Sequence, residues 1–587
     1  MICSKKNLAR LVRGAMGEIP ADVILRGGKL VNVYSGEILD GMEIAVIDER
    51  ICYVGPSAEH ARGAQTEVVE VNGRYLAPGF IDGHTHVGHY ARPFENLQSF
   101  IACGTTALVA SCDEAASVFG YRGLQFFLDE VAAHPLRVYT LVSMTAPQDP
   151  LLCSTATFSD EEIAAALTDP RVLGMGEIVS WLRLLQCDAE ILRRIELANA
   201  NGQLIHGHTA GARDRKLCAV AATGISSCHE PIQLEDAIER LRLGYWTMLR
   251  EGSLRQDLEA TLRPLLDTGV NLSRLILVTD SMTPDDVAER GHMDNVVRRA
   301  IECGLSPLRA IQSVTLRPAT YSGIAQDVGG IAPGRFADIV LIDDLERCHV
   351  ERVMVGGKWV ADKGVSQVKN EPISVPPEFL NGLSVGAKVS PETFKIKCQT
   401  ANPKIRVMEL VNQTITAERI VEVAAPAAHV EANLYDDLLK VAMFDRHRSV
   451  GAAFGFLKGL GIKVGAVATT VNLDENSLLV VGANDQDMAR CANVLLDCGG
   501  GVAIVEGGQV LERLDLPAGG IFSLHRWQQV AKRLARAQQV LREQGSPFDK
   551  PLFALSFLPF VTLPALRITA RGLVNAKERK IVSLIVE

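Results

Sequence analysis

Short apolar runs broken by turn residues open the chain. Residues 21–28 (ADVILRGG), 29–36 (KLVNVYSG), 43–50 (EIAVIDER) and 51–55 (ICYVG) carry Val and Ile between Gly, Asn and Ser. That texture predicts short strands. It returns at 329–365, in GGIAPGRFADIVLIDD and ERVMVGGKWVADKG. The two blocks share a strand–GGK–strand phrase, at Gly27–Gly28–Lys29 and Gly356–Gly357–Lys358. They flank a long section of different pattern. Two distant β segments are therefore expected to pair in one small sheet, with the middle of the chain inserted between them.

The middle, 76–328, alternates strand-like and helix-like periods. Its predicted strands are 77–81, 105–110, 137–142, 172–178, 203–208, 225–229, 245–249 and 275–279. Predicted helices between them include 114–133, 188–200, 235–243, 254–266 and 293–303. Strands alternating with helices over such a length predict a (β/α)8 barrel, and its chemistry belongs at the C-terminal strand ends. The spacing is too irregular for a solenoid. Residues 366–400, with EPISVPPEF, read as a linker. From 401 to 587 a further mixed unit follows, with strands at 463–470, 477–482 and 501–506 and helices at 485–496 and 524–544. The run Gly499–Gly501 follows a helix instead of preceding one, so it reads as a C-cap and turn, not a phosphate loop.

Composition narrows the function classes. At 587 residues the chain exceeds what one core supports. A formal net charge of −9 argues against a general binder of nucleic acid or anionic membrane, which needs a basic face. The opening MICSKKNLARLVRGAMGE lacks the apolar core of a secretory signal. The apolar stretch 552–566 is short and carries Pro559 and Pro564, a poor membrane span. The 13 cysteines are scattered with no CxxC, as expected of reduced thiols in a cytoplasmic protein.

The chemistry sits at predicted strand ends. PGFIDGHTHV places His84 and His86 two residues apart, on one face of a strand. Glu177 ends VLGMGEI, His208 ends QLIHGH, His229 ends ISSCH and Asp280 ends LILVTD. Each is metal-capable, and each ends a different predicted strand. Together they predict a metal site for a hard or borderline divalent ion such as Zn2+, Mn2+ or Fe2+. Individually each has a plainer reading: Glu177 as a salt-bridged core acid, Asp280 as a helix cap, His206 as a neighbour of His208. His89 and His134 read as surface or packing residues. Arg250, in WTMLREG, reads equally as a substrate-orienting group or a surface arginine.

These phrases resemble the amidohydrolase superfamily, and within it the adenine deaminase family. PGFIDGHTHV resembles the first-strand metal motif, GEI at 176–178 the strand-four segment and GHTAG at 207–211 the strand-five motif. SCHE at 227–230 and TDSMTPDD at 279–286 are similar to the motifs of strands six and eight. RHRSVGAAFGFLKGLGIKVGAVATTV and VVGANDQDMARCANVLLDCGGG resemble the extra C-terminal domain of these deaminases. The resemblance implies an α/β protein: a metal-dependent (β/α)8 barrel (76–328) inserted in a small β-sandwich domain (1–75 and 329–375), plus a C-terminal α+β domain (376–587). It also implies Glu177 as a metal bridge, and no lysine lies between Lys29 and Lys216 to bridge from strand four instead. The chain departs from the family phrases at Gly88 and Ser281, where acids are usual, and at 473–477, where LDENS replaces a His-rich phrase.

On this resemblance the expected reaction is hydrolytic deamination of adenine to hypoxanthine and ammonia. Two divalent ions, Mn2+ or Fe2+ with Zn2+ as a third candidate, would be held by His84, His86, His208, His229, Glu177 and Asp280. Asp280 would carry a proton to the leaving amine, and Glu230 would protonate the ring nitrogen. The departures keep open a deaminase or cyclic amidohydrolase for another small heterocycle. A barrel that has lost catalysis and serves as a scaffold is the third alternative. A small purine base is the expected partner, with no nucleic acid or membrane, and a homo-oligomer is expected by analogy with barrel hydrolases.

Overall fold

The computed structural model describes residues 8–143, 148–380, 382–447, 450–463 and 465–586. Residues 1–7 of the opening stretch, and Arg448, Ser449 and Val464 within the C-terminal phrases, lie outside them. The protein has a mixed α/β fold. The two distant β segments form one nine-stranded sheet. Its junction is the antiparallel pair Tyr75–Pro78 and Ile339–Asp344, with Leu76 opposite Leu341.

The shared GGK phrase folds in two ways. Gly356 and Gly357 turn the chain between strands His349–Val355 and Lys358–Asp362, as expected. Gly27 and Gly28 do not: residues 21–36 were expected as two strands, and one strand, Val23–Asn32, runs through them with a bulge. Gly27 takes φ +73°, and a Cβ on Gly28 would lie 2.6 Å from Leu76 and 2.7 Å from Val71. Glycine is used here for a bulge and a close approach.

The middle section builds parallel sheet. One six-stranded sheet runs Leu204–Gly207, Val172–Ile178, Arg137–Val142, Thr105–Ser111, Phe80–His86, Asp280–Ser281. A second runs Ser227–Cys228, Trp246–Arg250, Leu275–Val278. The last strand in sequence returns to the first, with Asp280 opposite Thr85 and Ser281 opposite His86. This curl is consistent with a (β/α)8 barrel. The first strand was expected at 77–81; residues 77–78 instead belong to the small sheet, and the parallel strand is Phe80–His86, with HxH inside it. The helix expected over 114–133 is broken at Gly120, φ +60°, into Asp113–Phe119 and Tyr121–Ala132. The helix expected from 254 begins at Leu258.

In the C-terminal unit, helices Asp485–Cys498 and Trp527–Glu543 pack on a nine-stranded sheet. Gly499 caps the first of these in the left-handed region, as the sequence predicts. The unit docks on the side where the parallel strands end. Tyr90–Ala91 pairs with Phe522–Ser523, and Lys550 lies 2.6 Å from Asp285 and 3.0 Å from Asp286. Each described cysteine is free. No helix among the described residues is long and apolar enough to cross a membrane.

A buried ion pair closes the insertion. Arg50 Nη1 lies 2.8 Å from Asp327 Oδ1 and 2.7 Å from the Gly334 carbonyl, and the guanidinium covers the Phe336 ring at 3.9 Å. Removing Arg50 takes away the ion pair, the hydrogen bond to Gly334 and the ring contact together. Arg50→Ala is expected to destabilise the protein by about 3–5 kcal/mol in urea unfolding. Arg10→Ala, which breaks an exposed pair with Asp48, should cost about 1 kcal/mol or less.

Candidate metal centre

The local sequence explains how the site is presented. Strand Thr105–Ser111 is buried throughout, as is Leu275–Val278, so their ends are fixed by packing on both faces. Gly176 admits its neighbour: a Cβ there would lie 2.7 Å from His206 Cβ. Asp82 ties the first strand to the last, taking hydrogen bonds from Thr279 N (3.2 Å) and Thr279 Oγ1 (2.5 Å). The next residue, Asp280, is held at φ +65°, a left-handed conformation of the kind that clusters at functional sites.

Six residues expected at the metal site converge. Glu177 Oε2 lies 2.7 Å from His208 Nδ1 and 3.0 Å from His229 Nε2, while Oε1 lies 3.3 Å from His86 Nε2. Asp280 Oδ1 is 3.5 Å from His84 Nε2 and 3.8 Å from His86 Nε2. His84 stacks on His229 with ring centroids 4.0 Å apart. Three-ligand groupings lie on both sides of this cluster: His84, His86 and Asp280 on one, His208, His229 and Glu230 on the other. His84 and Glu177 also group with His229.

The donor set fits a divalent cation. His84 Nε2 and His229 Nε2 are buried beside the Asp280 and Glu177 carboxylates, at 3.5 and 3.0 Å, without a well-directed hydrogen bond. Buried polar atoms are normally satisfied, and imidazole nitrogens beside carboxylates are what such a cation uses. His206 Nδ1 meets His84 Nδ1 at 3.3 Å, so it orients the ring from behind.

The electrostatics are those of crowded, buried charge. Burial and the charge on His229 push His84 down to about 4. Burial opposes the charge on Glu177, but His229 and His208 outweigh it and hold its carboxyl well below the usual range. Burial lowers His86 as well, but hydrogen bonds to Glu114 and Glu177 and the charge of Asp113 raise it well above its ordinary value.

Arg250 and Glu230 are partners. Arg250 Nη1 binds Glu230 Oε1 and lies 3.2 Å from Asp280 Oδ2, while Nη2 binds Asp257 at 2.8 Å. Arg250 is 2% exposed, so the surface-arginine reading does not hold. Glu230 lies between strand Ser227–Cys228 and the next helix, which starts at Leu234. Asp280 is no helix cap; Thr283 precedes the helix Pro284–Arg290. Despite burial, Arg250, His208 and His229 hold Glu230 below the usual carboxyl range.

The site opens into a cavity of about 110 Å³. Several of its lining residues escape the sequence reading. His89, expected at the surface or in packing, is buried, with Nδ1 3.3 Å from Ser281 Oγ and 3.5 Å from Glu114 Oε1. Asp113 and Glu114 approach His86 Nδ1 at 3.6 and 3.2 Å. Both immediately follow strand Thr105–Ser111, so the rule of chemistry at strand ends could have found them. Asn472, Asp474, Phe557 and Phe560 arrive from the C-terminal unit; Asp474 lies in the departing LDENS phrase at 473–477, and no local signal marks the other three. His134 packs edge-on to Phe94, as expected.

Similarity to known proteins runs along nearly the whole chain. Residues 75–360 match the amidohydrolase family, and residues 413–580 match the adenine deaminase C-terminal domain. An adenine deaminase of Moorella thermoacetica is 39% identical over 596 aligned positions, covering 100% of both chains. One of Cenarchaeum symbiosum is 38% identical, covering 99% of this chain and 95% of its own. Adenine deaminase 3 of Rhizobium meliloti is 35% identical, covering 96% of each. The chain belongs to the adenine deaminase family of amidohydrolases.

Proposed function

We propose that the protein hydrolyses adenine to hypoxanthine and ammonia, with two divalent ions per subunit, Mn2+ or Fe2+. The observation that carries this reading is Glu177, a single buried carboxylate with one oxygen toward His86 and the other toward His208 and His229. His84 and His86 would hold one ion and His208 and His229 the other, with Glu177 between them and Asp280 as a further ligand. When bound, such ions would lower the pKa of water to about 7, which supplies a nucleophile at neutral pH. The same reading takes 76–328 as a closed (β/α)8 barrel inserted in a small β-sandwich of 1–75 and 329–375, with 376–587 as the C-terminal domain.

The chain's own residues handle protons and position. Asp280, fixed by Arg250 and the last strand, takes a proton from the attacking water and delivers it to the leaving amine. Glu230, kept ionised by Arg250, takes the second proton of the water and passes it to the ring nitrogen beside C6 as charge develops there. Arg250 thus acts through these two carboxylates by fixing their place and charge. Val179, Leu254, Phe557 and Phe560 line the cavity and suit the faces of a flat heterocycle. Adenine, water and two internal proton transfers balance as hypoxanthine and ammonia.

Purified protein supplied with Mn2+ should release ammonia from adenine, and not from guanine, cytosine or a pterin in the same panel. Release from one of those with adenine untouched would replace the substrate and keep the chemistry. Glu177→Gln should lower bound metal, read by elemental analysis, together with activity; full activity in that variant would refute the bridge. Asp280→Asn is expected to reduce kcat by ~10²–10⁴-fold, the usual share of a general acid or base. Chelation should lower the melting temperature. Adding metal back at a hundred times its Kd should restore about 2.7 kcal/mol, seen as a return of the thermal midpoint.

A further inference from the structure

The C-terminal unit contributes more than a cover. The loop between strands Ala466–Thr469 and Leu478–Gly482 reaches the cavity and is tied on every side. Leu473 N donates to the Ser556 carbonyl at 2.9 Å. Glu475 accepts from Ser154 N at 2.8 Å and Ala570 N at 3.0 Å. Asn476 Nδ2 donates to Ser117 Oγ at 2.8 Å, and Asn472 Nδ2 to the Ser477 carbonyl at 2.7 Å. Asp474 is held at φ +71° and Asn476 at φ +45°.

Two acceptors of this loop stand outside the network. Asn472 Oδ1 and Asp474 Oδ2 are buried with no hydrogen-bond donor, and both residues line the cavity. The Gln148 side chain hydrogen-bonds the same Asp474 carboxyl. The charged groups around Asp474 are the carboxylates of Asp113, Glu475 and Glu177; burial and their repulsion push it well above the ordinary carboxyl range. An uncompensated buried acceptor is costly, and an N–H donor on a ligand supplies the missing bond and favours the ionised carboxylate.

The chemistry of the ligand supplies that donor. With C6 of adenine at the carboxylate–imidazole cluster, the five-membered ring points away from it. That ring carries one N–H in a free base and none in a base substituted at N9. We propose that Asp474, with Asn472 beside it, accepts the hydrogen bond of this imidazole N–H and so selects the free base over N9-substituted forms. The inference rests on the adenine reading above and assigns part of its specificity to a residue of the C-terminal unit.

The test uses the metal-loaded protein and two probes without a leaving amine, 6-methylpurine and 6,9-dimethylpurine, titrated by calorimetry. The wild type should bind 6-methylpurine ~10–100-fold more tightly, the range for a hydrogen bond to a charged or strongly polar group. Asp474→Ala should weaken 6-methylpurine by a similar factor, leave 6,9-dimethylpurine unchanged or tighter, and keep its metal content. For adenine turnover, KM should rise while kcat stays within a few fold. Asp474→Asn, which keeps one acceptor oxygen, should retain most of the preference. Equal weakening of both probes, unchanged 6-methylpurine binding or loss of metal in Asp474→Ala would overturn the assignment. Should that variant fail to fold, a wild type without preference between the probes, or an Asp474→Asn variant that weakens both alike, overturns it too. Ammonia release from adenine by the wild type tests the underlying reading separately; no release and no binding of either probe removes both.

Discussion

One buried carboxylate organises this protein. Glu177 sits where imidazoles from the first, fifth and sixth parallel strands meet, and its charge survives burial only because they surround it. The imidazoles need it equally, since the buried rings of His208 and His229 face it at 2.7 and 3.0 Å. Such a cluster cannot arise from one segment of chain. It requires a parallel sheet curled so that Asp280 lies beside Thr85, strand ends immobilised by apolar packing, and a roof from the C-terminal unit. Most of the other features serve that requirement.

The roof shows how two units share one site. Its loop is held by contacts to Ser117 and Ser154 in the parallel-sheet region as much as by its own strands. Glu475 joins Ser154 and Ala570, residues far apart in sequence, through one carboxylate. A loop anchored in this way moves little, and a rigid supporting frame is what precise recognition needs. Low dielectric inside the covered cavity also strengthens every charge interaction there.

Much of this was legible in the sequence, and the failures have physical causes. The metal-capable residues were found because strand ends punctuate apolar runs, and a residue ending such a run has one place to go. Arg137–Val142 and Val172–Ile178 have the expected bounds. The first strand was misplaced because 77–81 reads as one apolar run, which is divided between two sheets, and its parallel part continues through polar residues to His86. Gly27–Gly28 read as a turn because a bulge and a turn have the same local composition; only Leu76 and Val71 closing on Gly28 decide between them. His89 was missed because its partners, Ser281 and Glu114, are distant in sequence. The phrase at 473–477 stood out in the sequence, but that Asp474 and Asn472 line the cavity depends on how two units dock.

The split sheet has a consequence for biosynthesis. Strand Tyr75–Pro78 leaves the ribosome with one edge unsatisfied, and its partner Ile339–Asp344 lies roughly 260 residues later. At ~5–20 residues per second the wait is tens of seconds. Throughout that interval an apolar β edge is open to any other nascent chain. The whole parallel sheet must collapse before the edge is covered, so conditions that slow this collapse prolong exposure to aggregation, while the finished protein hides the hazard completely.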